Sequence, residues 1–262
     1  MGTDMSVEEL SNNIEKWLID YLDSSGLECF IVGVSGGVDS ALVSTLCART
    51  GKPTYVFNIP IRSTDSNTGL STQQCSWLES TYSNVKGELV DLTETYNVYR
   101  SGMLDRLEDN GLAYANTKSR LRMILLYHYA TTLKGLVVGT GNKVEDFGVG
   151  FYTKYGDGGV DLSPIADLTK TQVRALASHV GVSEDILTAP PTDGLWEDSR
   201  TDEEQIGASY EELEWAMDYV DNSRDHEITS RQQEVIEVFL GYRRRNTHKM
   251  IPIPVYQTGE DV

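Results

Sequence analysis

Cysteine is scarce in this chain of 262 residues: Cys29, Cys47 and Cys75 are all it has. None forms a C-x-x-C pair, which removes the common thiolate metal and redox motifs and leaves buried free thiols of a reducing compartment as the expectation. Long apolar runs are missing as well. Stretches such as Phe30-Ile31-Val32 and Leu136-Val137-Val138 fall far short of the ~20 residues of a membrane span. No basic stretch followed by an apolar segment opens the chain, so no secretory leader is read there. Positive charge is in deficit, 22 Lys and Arg against 40 Asp and Glu, for a net charge of −18. Such a surface repels nucleic acid and anionic lipid. These absences point to a cytoplasmic protein with neither nucleic acid nor membrane as partner.

What is present is enough apolar residue, 39%, to build a core at this length. One domain over residues 1–262 is expected, with an irregular tail from about 252. Ser6-Val7-Glu8-Glu9 is a capping box, and Leu10, Ile14, Trp17, Leu18, Tyr21 and Leu22 follow at helical spacing. A buried strand over 29–34, a glycine turn and a helix over 39–49 come next. Strands are expected at 54–59, 88–92 and 136–139, and helices at 71–82, 96–108, 117–133, 169–180, 209–220 and 229–245. The alternation of strand and helix predicts an α/β fold, an open, mainly parallel sheet with helices on both faces. Residues 147–161 are glycine-rich and read as a long loop of functional type. The span 193–237 holds fifteen Asp and Glu against three Arg, a solvated acidic face; a basic cluster, Arg243-Arg244-Arg245-Asn246-Thr247-His248-Lys249, follows it.

The chemistry concentrates in Gly33-Val34-Ser35-Gly36-Gly37-Val38-Asp39-Ser40, between the first strand and its helix. Glycines let the backbone curl and present N–H groups, the helix start adds partial positive charge, and two hydroxyls add donors. An oxyanion such as diphosphate suits this loop. Asp39 repels bare phosphate, which implies a bridging cation, and Mg²⁺ suits carboxylate plus phosphate oxygens. A Walker A sequence is absent. The same residues also match G-x-S-x-G, which would make Ser35 a hydrolase nucleophile with one of four histidines as base. Against that reading, the loop follows the first strand of the chain, with no earlier strand to supply an oxyanion-hole loop.

Ser35-Gly36-Gly37-Val38-Asp39-Ser40 resembles the signature loop of the N-type ATP pyrophosphatases. Gly139-Thr140-Gly141-Asn142-Lys143-Val144-Glu145, the run from Gly150 to Asp161, Pro191-Thr192-Asp193-Gly194-Leu195-Trp196 and Asn116-Thr117-Lys118-Ser119-Arg120 are similar to the NAD synthetase family within that superfamily. So are the stretch from Thr201 to Tyr210 and the terminal His248-Lys249. The resemblance runs over about 7–253 and implies an adenine nucleotide alpha hydrolase-like fold. It further implies ATP-dependent amidation of deamido-NAD (nicotinic acid adenine dinucleotide) with ammonia, giving NAD, AMP and diphosphate through an adenylated carboxylate. The alternatives it leaves are another N-type ATP pyrophosphatase with a different substrate, and a nucleotide-binding sensor without turnover.

Carried over by motif, Gly33, Val34, Ser35, Gly36, Gly37, Val38, Asp39, Ser40, Thr140, Lys170 and Thr192 bind ATP. Asp39 and Glu145 hold Mg²⁺. Arg120, Lys154, Asp161, His248 and Lys249 bind deamido-NAD, and the basic cluster gains the dinucleotide's diphosphate as its target. Asp39 and Lys170 carry the catalysis, with Asp157 as the candidate base for ammonia. The resemblance also implies a homodimer, with Trp17, Tyr127 and Tyr129 available to face a partner. Free ammonia is the expected nitrogen donor; a separate glutaminase is compatible with the chain but not indicated by it. Because water destroys an acyl adenylate, residues 64–70 and 147–161 are expected to close over it. Both segments should gain hydrogen-exchange protection when ATP and substrate bind, and equal protection in the two states would remove the lid.

Overall fold

In the computed structural model, the residues described are 5–63, 65–104, 106–107, 110–192, 195–196, 201–222 and 227–258, with the backbone alone at 65–67. Thr64, Asp193 and Gly194, which the sequence placed in a lid and a motif, lie outside them.

Ser6 and Glu9 form the expected reciprocal cap, and α1 (Val7–Ser25) follows, ending at left-handed Gly26. Its Ile14, Leu18 and Leu22 are buried. Strand β1 (Cys29–Gly33) leads into α2 (Val38–Arg49), then β2 (Thr54–Asn58), α3 (Asp65–Thr81), β3 (Val85–Leu89), α4 (Thr93–Leu104), α5 (Gly111–Leu133) and β4 (Gly135–Val137). The four strands pair in parallel in the order β3-β2-β1-β4. Strands β1, β2 and β4 are short and apolar at their centres because both faces are covered, whereas β3, at the edge, is largely polar and exposed. Phe30, Val32, Val56, Leu136 and Val138 point toward α1, α2 and α3, together with α6 (Lys170–His179) and α7 (Glu184–Leu187). Cys29, Ile31, Phe57 and Val137 point the other way, against Leu126 and Ala130 of α5. The expected parallel sheet with helices on both faces is what forms. All three cysteines are free and buried.

A second core lies beyond the sheet. A π-turn (Val144–Val149), α8 (Asp202–Ile206), α9 (Tyr210–Asp221) and α10 (Ser230–Met250) pack Val144, Val149, Tyr210, Leu213, Val235 and Phe239 together.

Several boundaries differ from the sequence reading, for physical reasons. The third strand starts at Val85, not 88, because Thr54 through Asn58 of β2 pair in register with Val85 through Leu89. Helix α3 starts at Asp65, not 71. Asn58 holds its opening turns, donating to the carbonyl of Thr68 at 3.4 Å and to Thr72 Oγ1 at 2.9 Å. Most of the segment expected as the first lid is therefore helix. Residues 147–161 are not a plain loop: they begin inside the π-turn and continue as nested turns tied by Gly156, Gly158 and Gly159 amides to the carbonyls of Thr153 and Gly156. Helix α10 runs to Met250 rather than 245 because Asn246 and Lys249 bond to the backbone of the facing segment. Residues 252–258 are irregular and exposed, as expected.

The π-turn ends at Gly150, with φ +64°, and a Cβ added there would lie 2.5 Å from Cβ of Asn246. A left-handed backbone and a collision with a helix side chain compound each other. Gly150→Ala should cost at least about 2 kcal/mol, read as a lowered denaturant midpoint; an unchanged midpoint would contradict this packing.

Candidate active site

The strand order places the site. From central β1 the chain runs outward to β2 and β3, then returns to β4 on the other side of β1. The segments leaving β1 and β4 therefore diverge at their carboxyl ends, the switch point at which open parallel sheets form a ligand crevice. A cavity of about 260 Å³ lies there. It is lined by every residue from Gly33 to Ser40, by Thr140, Glu145, Asp157 and Lys170, and by Thr192, Leu195 and Asp202.

The loop after β1 is folded by its own hydroxyls. Ser35 N–H donates to Ser40 Oγ at 3.1 Å, Gly37 N–H to Ser35 Oγ at 3.3 Å, and Ser40 Oγ to the carbonyl of Gly37 at 3.0 Å. Gly36, at φ +91°, makes the curl possible. Ser35 has a serine hydroxyl 3.1 Å away rather than a base, and no histidine is among the described residues lining the cavity. The nucleophile-elbow reading has no support in this geometry.

Three elements bring charge to one point. Asp39 stands in the first turn of α2, Glu145 in the π-turn, and Lys170 opens α6, whose start is fixed by a Thr169–Gln172 capping box. Lys170, 3% exposed, donates to Asp39 Oδ2 and, at 3.3 Å, to Glu145 Oε1. Buried Asn142 links the carboxylates from the other side. It donates to Asp39 Oδ1 at 3.2 Å and accepts from Val144 N and Glu145 N, so it caps the π-turn as it orients the aspartate. Burial works against the charge of Lys170, but Asp39 and Glu145 outweigh it and hold the ammonium protonated. Burial raises the pKa of Glu145, and the Lys170 charge opposes the rise. Asp146, next in the chain, is pushed up to about 8 by burial and then by Glu145 and Asp157.

Asp157 is held by α5. Its carboxylate accepts from Ser119 Oγ at 2.6 Å and from Thr153 N at 3.0 Å, and its own amide donates to Ser119 Oγ. Arg120, Lys154, His248 and Lys249 also come together, outside the residues lining the cavity. Arg120 Nε donates to the carbonyl of Lys154, Lys154 Nζ to that of His248 at 2.8 Å, and Lys249 Nζ to that of Tyr152 at 2.7 Å.

Asp161 does not join them in this chain. It accepts from Tyr127 Oη at 3.1 Å and from Val137 N at 2.8 Å, bracing the edge of β4. Arg243, part of the basic cluster given an anion as target, is instead a staple: it pairs with Asp221 at 2.6 Å and donates to the carbonyls of Phe147 and Gly148. Of the aromatics proposed to face a partner, Tyr127 is tied to Asp161 and Tyr129 donates to Glu88 at 2.6 Å, while Trp17 is exposed.

Asn142, Asp202 and Tyr210 were assigned no role from the sequence. Tyr210, buried in α9, donates to Glu145 Oε1 at 2.5 Å, and its oxygen lies 3.3 Å from Asp202 Oδ2. Each reads as a polar, core or cap residue in isolation; the pairing of β4 with β1 brings Asn142 to Asp39, and the packing of the second core against the sheet brings Tyr210 and Asp202 to Glu145.

A hydroxyl-lined glycine loop at the switch point of a parallel sheet, facing two carboxylates and a buried lysine, defines a nucleotide-binding α/β protein. Residues 10–252 match the family model described as NAD synthase, and the chain belongs to this family. It is 36% identical to the NH3-dependent NAD+ synthetase of Archaeoglobus fulgidus over 95% of this chain and 97% of that protein. It is 31% identical to that of Methanosarcina mazei over 96% and 98%. Among solved structures, NMN synthetase from Francisella tularensis superposes with a TM-score of 0.86 at 28% identity, covering 98% of this chain and all of that one.

Removing the lysine charge should expose the electrostatic balance. Lys170→Met leaves two carboxylates without their shared cation, a loss of about 3–5 kcal/mol for a buried pair. Glu145, its pKa already raised in the folded state, would be raised further without the ammonium. A raised carboxyl pKa makes the fold most stable when that group is protonated, and stability falls as pH rises through the folded value. The melting-temperature gap between wild type and Lys170→Met should therefore be wider at pH 8 than at pH 5. A gap independent of pH would refute the coupling.

Proposed function

We propose that this chain amidates deamido-NAD with ammonia at the expense of ATP, giving NAD+, AMP and diphosphate. The observation that carries the reading is the Lys170 ammonium bridging Asp39 and Glu145 beside the Ser35–Ser40 loop. A free carboxylate resists amidation because its oxygen is a poor leaving group. Attack by a substrate carboxylate oxygen on the α-phosphorus breaks the bond to diphosphate and forms a mixed anhydride with AMP. Ammonia then attacks the carbonyl carbon, AMP departs, and the nitrogen loses a proton.

In this proposal the Gly33–Ser40 amides and hydroxyls hold the nucleotide phosphates, with Thr140 and Thr192 beside them. Lys170 stabilises charge developing on the departing diphosphate. Mg²⁺ fits the donor set: two hard carboxylates already share one cation, and this ion typically takes one or two carboxylates together with substrate phosphates. Asp39 and Glu145 would hold it; when bound, it neutralises diphosphate charge. Asp157, on the cavity wall, is the group assigned to receive the proton of ammonia. Arg120, Lys154, His248 and Lys249 form the dinucleotide rim. The proposal includes a homodimer in the cytoplasm, using free ammonia.

A second reading is favoured by the likeness to the Francisella tularensis NMN synthetase: the acid taken is the mononucleotide rather than the dinucleotide.

Purified protein given ATP, Mg²⁺, ammonium and either acid separates these readings. NAD+ with equal AMP and diphosphate supports the first, and a higher kcat/KM for the mononucleotide supports the second. AMP formation only with unrelated acids, or nucleotide binding without products, defeats both. Asp39→Asn should lower turnover by about 10²–10³-fold with an unchanged circular dichroism spectrum; near-normal turnover would contradict the role given to Asp39.

A further inference from the structure

Glu145 offers two oxygens, and the structure treats them differently. Oε1 accepts from Tyr210 Oη at 2.5 Å and from Lys170 Nζ at 3.3 Å. Neither donor reaches Oε2, and Glu145 lines the cavity. Tyr210 is fully buried and sits in the second core, and its amide is held by Glu203 Oε1 at 3.0 Å. Its ring also carries the Lys170 ammonium 4.5 Å from its centroid. One side chain thus touches both the carboxylate and the cation proposed for the phosphates.

We infer that Tyr210 is a positioning residue: its hydroxyl fixes Oε1 of Glu145 so that Oε2 is presented to a divalent cation, and its ring seats Lys170 beside it. The inference rests on the nucleotide-and-metal reading of the site given above. A phenol suits the task. Its single proton goes to the nearer acceptor, Glu145 at 2.5 Å rather than Asp202 at 3.3 Å. Hydrogen bonds that orient a ligating carboxylate typically tune metal affinity by about 10–100-fold.

The test is Tyr210→Phe, which keeps the ring and removes only the hydroxyl. Mn²⁺ binding is read by electron paramagnetic resonance in the presence of a non-hydrolysable ATP analogue, beside the Mg²⁺ half-saturation of turnover and the melting temperature. The expected result is Mn²⁺ binding weakened about 10–100-fold, a matching rise in Mg²⁺ half-saturation, and a melting temperature close to wild type. In a double-mutant cycle, adding Tyr210→Phe to Glu145→Gln should cost nothing further in Mn²⁺ affinity, because the hydroxyl acts through the carboxylate.

Unchanged Mn²⁺ affinity in Tyr210→Phe, or full additivity with Glu145→Gln, would overturn the inference and leave the proposed function standing. Loss of the folded state in Tyr210→Phe would also overturn it, by assigning the hydroxyl to the core. A wild-type protein that binds no Mn²⁺ with the analogue would bring down the site reading and this inference together.

Discussion

One buried ammonium joins three separate stretches of the chain. Lys170 begins α6, Asp39 lies in the first turn of α2 and Glu145 rides on the π-turn, and the ammonium donates to both carboxylates. A lone carboxylate in so dry a place would take up a proton, and a lone lysine would lose one. Here Asp39 and Glu145 outweigh the burial of Lys170 and hold its ammonium protonated at the floor of the crevice. Much of the remaining architecture serves this contact. The capping box at Thr169 fixes where α6 starts, Asn142 fixes both the π-turn and Asp39, and the second core presses Tyr210 onto Glu145.

The division of labour between the two cores follows. The sheet core sets the backbone of the loop after β1, whose amides and hydroxyls depend only on local glycine and serine chemistry. The second core sets side chains. It grips the π-turn from behind, through Arg243 on the carbonyls of Phe147 and Gly148 and through Asn246 on that of Val149. Tight π-type turns at functional sites trade ideal helical bonding for the placement of one residue. Here that residue is Glu145, and the carbonyls left over are met by α10.

Much of this was legible in the residues. The Ser6–Glu9 cap, the apolar strands and the alternation with helices pointed to the sheet; the glycine-serine loop marked a segment that lines the crevice; and the family resemblance singled out Asp39, Glu145 and Lys170, which the fold brings together. What was not legible has a common cause. Asn142, Asp202 and Tyr210 read as polar loop, helix cap and buried aromatic, since their roles come from contacts far apart in sequence, 103 residues between Asn142 and Asp39 and 65 between Tyr210 and Glu145. Arg243 misled for the opposite reason. Its neighbours are all basic, so the string suggested an anion, whereas helical geometry turns this one guanidinium inward to Asp221 and the π-turn. Glycines 148–159 suggested a slack loop because glycine marks both slack and tight backbone; their hydrogen bonds reveal the tight kind.

The lacing between Lys154 and His248, and between Lys249 and Tyr152, has a mechanical corollary. Each ammonium donates to a backbone oxygen of the opposite segment, so the two strips of chain are sewn crosswise. An ammonium has three N–H donors, so each stitch leaves donors over and keeps the positive charge at the seam. The end of α10 and the glycine-rich turns are thereby mechanically joined: a shift of either strip carries the other strip's lysine with it.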